Sequence, residues 1–232
     1  MSFYSTLHDL ITIAHEVGHA WHSYILRPKR SFAAHYPMTL AETASNFGEM
    51  ILLNHLMQDE ALSSERKACL IDQQMLRAQA YLINIPMRYY FEKAFYTERA
   101  FGELPPSRLC ELMMHTQREF YGDTLLDDGT DPMFWASKLH FFCTDLSFYN
   151  FPYLFGYLFS QALFARFTAE GAAFLSRYED FLAHSGSATC EELAYRTLGV
   201  DLTQPDFWTA ALRTIEPVLQ EYEILAHTTR KE

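Results

Sequence analysis

His15 and His19 stand four residues apart, with Glu16 directly after the first, inside a proline-free stretch from Thr6 to Leu26 that stops short of Pro28. This stretch leaves the chain little choice of local structure. Leu7, Ile11, Ala14, Gly18, Trp21 and Ile25 recur at helical spacing. Ser5 or Thr6 supplies a cap at the start, and Pro28 disfavours continuation at the end. On that helix His15 and His19 lie one above the other on a single face, within reach of one ion. His8, His15, His19 and His22 share this face. Four histidines make poor core material, because each would need a polar partner if buried. Zinc takes neutral imidazoles and, in catalytic sites, keeps one position open. Glu16 is then placed to take a proton from a water that the ion acidifies. Read alone, H-E-x-x-H also fits an ordinary helix.

Two histidines fall short of the usual three protein ligands. The next acidic groups in apolar surroundings are Glu42 and Glu49, in a stretch from Thr39 that runs on as a helix towards Asp59, with Thr39 as its expected cap. Small residues flank Glu42, so a second helix can come close. Glu42 fits as third ligand. Taken alone, placement in a first helical turn, favoured by the helix dipole, explains it better. Glu49 lies two turns further on the same face. It fits a place behind the ligands, fixing an imidazole through its other nitrogen, and His22 is placed with it.

The 232 residues, 49% hydrophobic and 16% aromatic, suffice for a substantial core. Nine glycines, nine prolines and long periodic segments predict an all-α fold, read as a single domain over residues 1–232. A net charge of −11 argues against nucleic-acid binding, which wants basic patches. Cys69, Cys110, Cys143 and Cys190 contain no C-x-x-C pair and read as reduced, mostly buried thiols of a cytoplasmic protein. No leader-like run opens the chain and no apolar run is long enough for a membrane span. The loop of residues 122–132, with Asp127, Asp128 and Asp131, lacks the ligand spacing of a calcium loop.

Further along, a helix from Ser63 or Ser64 is expected to break or kink at Pro86. Arg88, Glu92, Lys93, Glu98 and Arg99 read as ordinary ion pairs on the helix that follows. Tyr149, Tyr153 and Tyr157 recur every four residues and predict a phenolic stripe on one helix, loosened near Pro152 and Gly156. Such a stripe serves packing, or offers uncharged donors to a developing oxyanion.

The segments A-H-E-V-G-H-A-W-H-S and L-A-E-T-A-S-N-F-G-E together resemble the oligoendopeptidase F branch of the thimet-oligopeptidase-like metallopeptidases. Glu42 follows His19 by 23 residues, which suits that family. W-A-S-K-L-H and F-Y-N-F-P-Y-L-F-G-Y-L-F extend the similarity over most of the chain. The resemblance implies a multi-helix zincin-type catalytic domain. It makes His15, His19 and Glu42 the ligands of one Zn2+ per chain and Glu16 the general base of peptide hydrolysis. Tyr149, Tyr153 and His140 become the groups that hold the oxyanion. The implied substrate is an oligopeptide, with no nucleic acid or membrane as partner. Family members carry a large helical portion ahead of the metal helix, so the chain is expected to be a C-terminal catalytic segment. The missing portion, or a second copy of the chain, is then a partner. The competing expectation is a zinc-binding helical fragment without catalysis, serving a structural or partner-binding role.

Overall fold

Thr6 starts the first helix, α1 (Leu7–Leu26), with a reciprocal cap. Its hydroxyl oxygen accepts from the Asp9 N–H at 3.1 Å, and the Asp9 carboxylate accepts from the Thr6 N–H at 2.9 Å. Two donors that a helix start leaves orphaned are thereby satisfied. The computed structural model describes residues 4, 6–126 and 128–229, so Ser5 and Asp127 lie outside the described residues. Regular structure among those residues is helical throughout, as expected: α2 (Met38–Gln58), α3 (Ser64–Gln79), α4 (Ile85–Arg99), α5 (Pro106–Tyr121), α6 (Phe151–Glu170), α7 (Ala172–Ala183), α8 (Cys190–Leu193), α9 (Pro205–Arg213) and α10 (Glu216–Thr229), with short 3-10 and π turns. Thr39 does not cap α2. Pro37, in extended conformation, precedes the first helical residue, and its fixed φ suits that place. The expected break at Pro86 is instead a π-helical turn, Ala80–Asn84, leading into α4 with the proline in the first turn. The backbone stays helical through Gln79, Asn84 and Ile85, so the proline's missing N–H leaves a carbonyl of the preceding turn without that donor, and the wider π turn accommodates the ring.

The chain divides into two compact units. One comprises Met1–Met75 with Phe155–Glu232; the other is Leu76–Leu154.

In the first unit α1 and α2 meet through glycines. A β-carbon on Gly48 would lie 2.7 Å from the Ala14 carbonyl oxygen, so only glycine permits this approach. The core on the far side of α2 joins Leu40, Ala44 and Phe47 to Phe159, Leu163, Phe174, Phe181 and Leu182, all nearly inaccessible. Each buried side chain of this size contributes about 1.5–3 kcal/mol. The Ser160 hydroxyl, fully buried, lies 2.9 Å from the Thr43 carbonyl oxygen and fixes α6 against α2. A smaller cluster of Ile11, Leu53 and Leu70 closes the other end.

In the second unit α4 packs on α5 through Met87, Phe91, Leu112 and Met113, with Phe134, Trp135 and Phe141 at the margin. No helix among the described residues is long and apolar enough to cross a membrane. The four cysteines are free; Cys69 and Cys143 are exposed rather than buried.

Candidate metal centre

The H-E-x-x-H residues fall in the middle of α1, where the i, i+4 spacing sets the His15 and His19 rings edge to face at 4.8 Å. Their Nε2 atoms are 3.2 Å apart. Across the glycine contact, α2 brings the Glu42 Oε2 atom to 3.3 Å from His15 Nε2 and 3.8 Å from His19 Nε2. Gly156 of α6 backs this carboxylate: a β-carbon there would stand 2.7 Å from Glu42 Cβ. The Ser45 hydroxyl lies 3.0 Å from Glu42 Oε2. Glu49, buried on the next turns of α2, meets His15 Nδ1 at 2.5 Å.

Zinc fits this donor set. Bonds of about 2.0–2.2 Å in a tetrahedron put neighbouring ligand atoms roughly 3.4 Å apart, and the three separations here are 3.2, 3.3 and 3.8 Å. Two imidazole nitrogens facing each other also need a cation or proton between them. The electrostatics agree. Burial alone would lower the His15 pKa, but hydrogen bonds to Glu42 and then Glu49 overcome it and raise it to about 9. Glu42 is held below the usual carboxylate range, chiefly by His15 and against its own burial. The surroundings thus favour positive charge at this point. With Nδ1–H donating to Glu49, the Nε2 lone pair of His15 is left for an ion.

Glu16 is exposed, next in sequence to His15. His22 turns away from the other imidazoles' partners. It is fully buried, stacked on Tyr36 at 4.1 Å, with Nε2 2.9 Å from the Ser185 hydroxyl. Burial pushes its pKa down to about 4.

Tyr149 and Tyr153 belong to the second unit and Tyr157 to the first. Tyr149 lies in a turn before α6 and not on the helix, so the predicted stripe is broken at its first member; Tyr157 is buried. Tyr149 and Tyr153 still pair at 6.0 Å, and His140 packs at 5.0 Å and 5.9 Å from the two rings. Phe148, just before Tyr149, has φ 56°, unusual for a bulky residue. Its N–H donates to the buried Glu92 carboxylate at 2.7 Å. Arg88 reaches the buried Asn150 side chain at 3.2 Å. Arg88 and Glu92 are therefore not the surface ion pairs expected on α4. Their spacing on an aromatic-rich helix was the available signal, but the partners lie 62 and 56 residues away in sequence. The Ser45 contact to Glu42 likewise had no distinct signature.

Residues 4–214 match the pattern of Peptidase family M3. The chain is 29% identical over 228 residues to oligopeptidase PepF of Bacillus subtilis, covering 97% of this chain and 33% of that protein. It is 27% identical to the plasmid oligoendopeptidase F of Lactococcus lactis subsp. cremoris, covering 97% and 37%. The crystal structure of oligoendopeptidase-F from Enterococcus faecium superposes with a TM-score of 0.78 at 25% identity, covering 96% of this chain and 40% of that one. The chain thus spans about a third of the length of the relatives it matches.

Proposed function

The chain belongs to Peptidase family M3, and from that premise we propose that it carries the zinc-dependent centre of an endopeptidase acting on oligopeptides. The observation that carries this reading is the tetrahedral-like spacing of His15 Nε2, His19 Nε2 and Glu42 Oε2, with Glu16 exposed beside them. His15, His19 and Glu42 hold one Zn2+. When bound, the ion supplies a Lewis acid that polarises a carbonyl and acidifies water. Glu49 fixes the His15 ring. Glu16 takes a proton from the attacking water and delivers it to the departing amine. Tyr149 and Tyr153 donate hydroxyl hydrogen bonds to the carbonyl oxygen as charge builds on it, with His140 packed against both. His22 supports α1 from within the core. The four free cysteines suit a cytoplasmic setting.

A second reading follows from the coverage of the relatives, about a third of their length. In it the chain holds zinc but needs a further helical portion or a second copy for turnover. One experiment separates the two. The zinc-loaded chain and its Glu16→Gln variant are assayed for bound metal and for cleavage of a quenched peptide. Cleavage by the parent, lost in a variant that keeps its zinc, supports the endopeptidase. Zinc at one per chain without cleavage supports the second reading. Undiminished turnover by Glu16→Gln rejects the proposed role of that residue.

A further inference from the structure

Tyr149 joins the His140–Tyr149–Tyr153 cluster from a turn, at the end of an exposed run over residues 142–147. A phenol that is to meet a developing charge has to be held in place, and a turn does not do this by itself. α4 does it from two sides. Before Tyr149, the Phe148 N–H donates to Glu92 Oε1 at 2.7 Å. After it, Asn150 Oδ1 accepts from Arg88 Nη1 at 3.2 Å. Arg88 and Glu92 stand one turn apart on α4. Among the described residues they form no ion pair with each other, and Arg88 Nε and Glu92 Oε2 are buried without a partner. Neighbours of opposite charge at this spacing can pair; here each reaches across to the turn instead. Aromatic contacts add to the grip. The Phe148 ring packs at 5.2 Å from Tyr89 and 5.4 Å from Tyr96, and the Tyr96 hydroxyl lies 3.3 Å from Ser147 Oγ.

The two bonds hold different things. Glu92 answers the N–H of a residue whose φ of 56° is strained for phenylalanine, and so stabilises the turn from which the Tyr149 ring lies 6.0 Å from that of Tyr153. Asn150 is wholly buried, and its carbonyl oxygen accepts from the Tyr153 N–H at 3.2 Å at the start of α6. Arg88 thus holds the residue on which the first turn of α6 is set, and Tyr153 with it. Both charges are kept at a cost. Burial pushes the Glu92 pKa up against the pull of the Phe148 N–H, and pushes that of Arg88 down. For stability alone an apolar pair of similar volume would serve as well. We propose that Arg88 and Glu92 are positioning residues for the tyrosine pair, clamping the chain on both sides of Tyr149 and fixing its hydroxyl relative to that of Tyr153. The work of the tyrosines rests on the peptidase reading; the clamp itself lies wholly within residues 76–154.

The test has two readouts on the zinc-loaded full chain labelled with 3-fluorotyrosine, the Tyr149 and Tyr153 fluorine signals being assigned through Tyr149→Phe and Tyr153→Phe. The first readout needs no turnover. In Glu92→Ala the Tyr149 signal moves and broadens, and in Arg88→Met both signals do. Glu92→Gln, which keeps an acceptor for the Phe148 N–H, leaves them near their parent positions. Tyr24 and Tyr178, in the first unit, keep theirs throughout, and thermal melts confirm that each variant is folded at the assay temperature. The second readout is cleavage of a quenched peptide. Glu92→Ala lowers kcat about tenfold or more, as a small misplacement of a reacting group does, while KM and bound zinc stay at parent values. In a Tyr149→Phe background it costs little further, because the two residues act as a unit. A parent chain that binds zinc without cleaving counts against the peptidase reading alone, and the fluorine spectra still decide the clamp. An unmoved Tyr149 signal in Glu92→Ala, an equal displacement in Glu92→Gln, or an undiminished loss of kcat on top of Tyr149→Phe overturns the proposal. Should Glu92→Ala unfold, Arg88→Met carries the comparison, and unmoved tyrosine signals there overturn it.

Discussion

Gly18 approaches the backbone of Ala44 so closely that a β-carbon at position 18 would lie 2.3 Å from the Ala44 carbonyl oxygen. The obstacle is main chain, which cannot swing aside as a side-chain tip would. Gly18→Ala must therefore push α1 and α2 apart, at a cost of about 1–3 kcal/mol. His15 and His19 ride on one helix and Glu42 on the other, so zinc affinity falls with stability. Urea melts and a chelator competition check this; an unchanged pair of values would contradict the close contact.

Glu49→Ala leaves His15 Nδ1 without its 2.5 Å partner and frees the ring to turn. A loss of about 10–100-fold in zinc affinity is expected, as for other carboxylates behind a metal-bound histidine. Competition with a chromogenic chelator measures it. A change below twofold would remove Glu49 from the centre's support.

His22 links stability to acidity. Burial holds its imidazole at a pKa of about 4 in the folded chain, against an ordinary 6.5. Above about pH 6.5 it is neutral in both states. Between 6.5 and 4 the unfolded chain takes up a proton that the folded one refuses. Stability therefore falls as pH falls through this window, by up to about 3 kcal/mol. Nitrogen-15 NMR should find the buried ring still neutral at pH 5, and the pH slope of urea melts should drop by about one proton in His22→Asn.

Glu92→Ala strands the Phe148 N–H, whose acceptor is a carboxylate only 4% exposed. Loss of that bond, at a residue whose left-handed φ of 56° is itself strained, should cost about 1–3 kcal/mol. Glu92→Gln, which keeps an acceptor, should recover much of it. Denaturant melts of the two variants decide; equal losses would mean that the side chain's bulk matters and its oxygen does not.

Helix type and the pairing of His15 with His19 could be read from local spacing, whereas Glu42 as their third partner was implied by the resemblance. Four-residue periodicity places two imidazoles together, and small residues around Glu42 predict a close second helix. Spacing failed where the chain leaves its helix. Tyr149 keeps the four-residue interval to Tyr153 and yet sits in a turn, since a positive φ at Phe148 has no signature in a phenylalanine. The environment of His22 escaped notice for another reason: Ser185 is 163 residues distant, and only the packing of α7 onto α1 brings them together. Glu92 looked like a surface residue because charge alone does not reveal burial.

All three proposed ligand atoms belong to the first unit, and they bridge α1 to α2. An ion held there prefers the native form over the denatured one, and at a hundredfold excess over its dissociation constant that preference adds about 2.7 kcal/mol. Zinc starvation would then do more than idle the active centre. It would enlarge the loosened population that proteases digest, so the lifetime of the chain would track the supply of the metal.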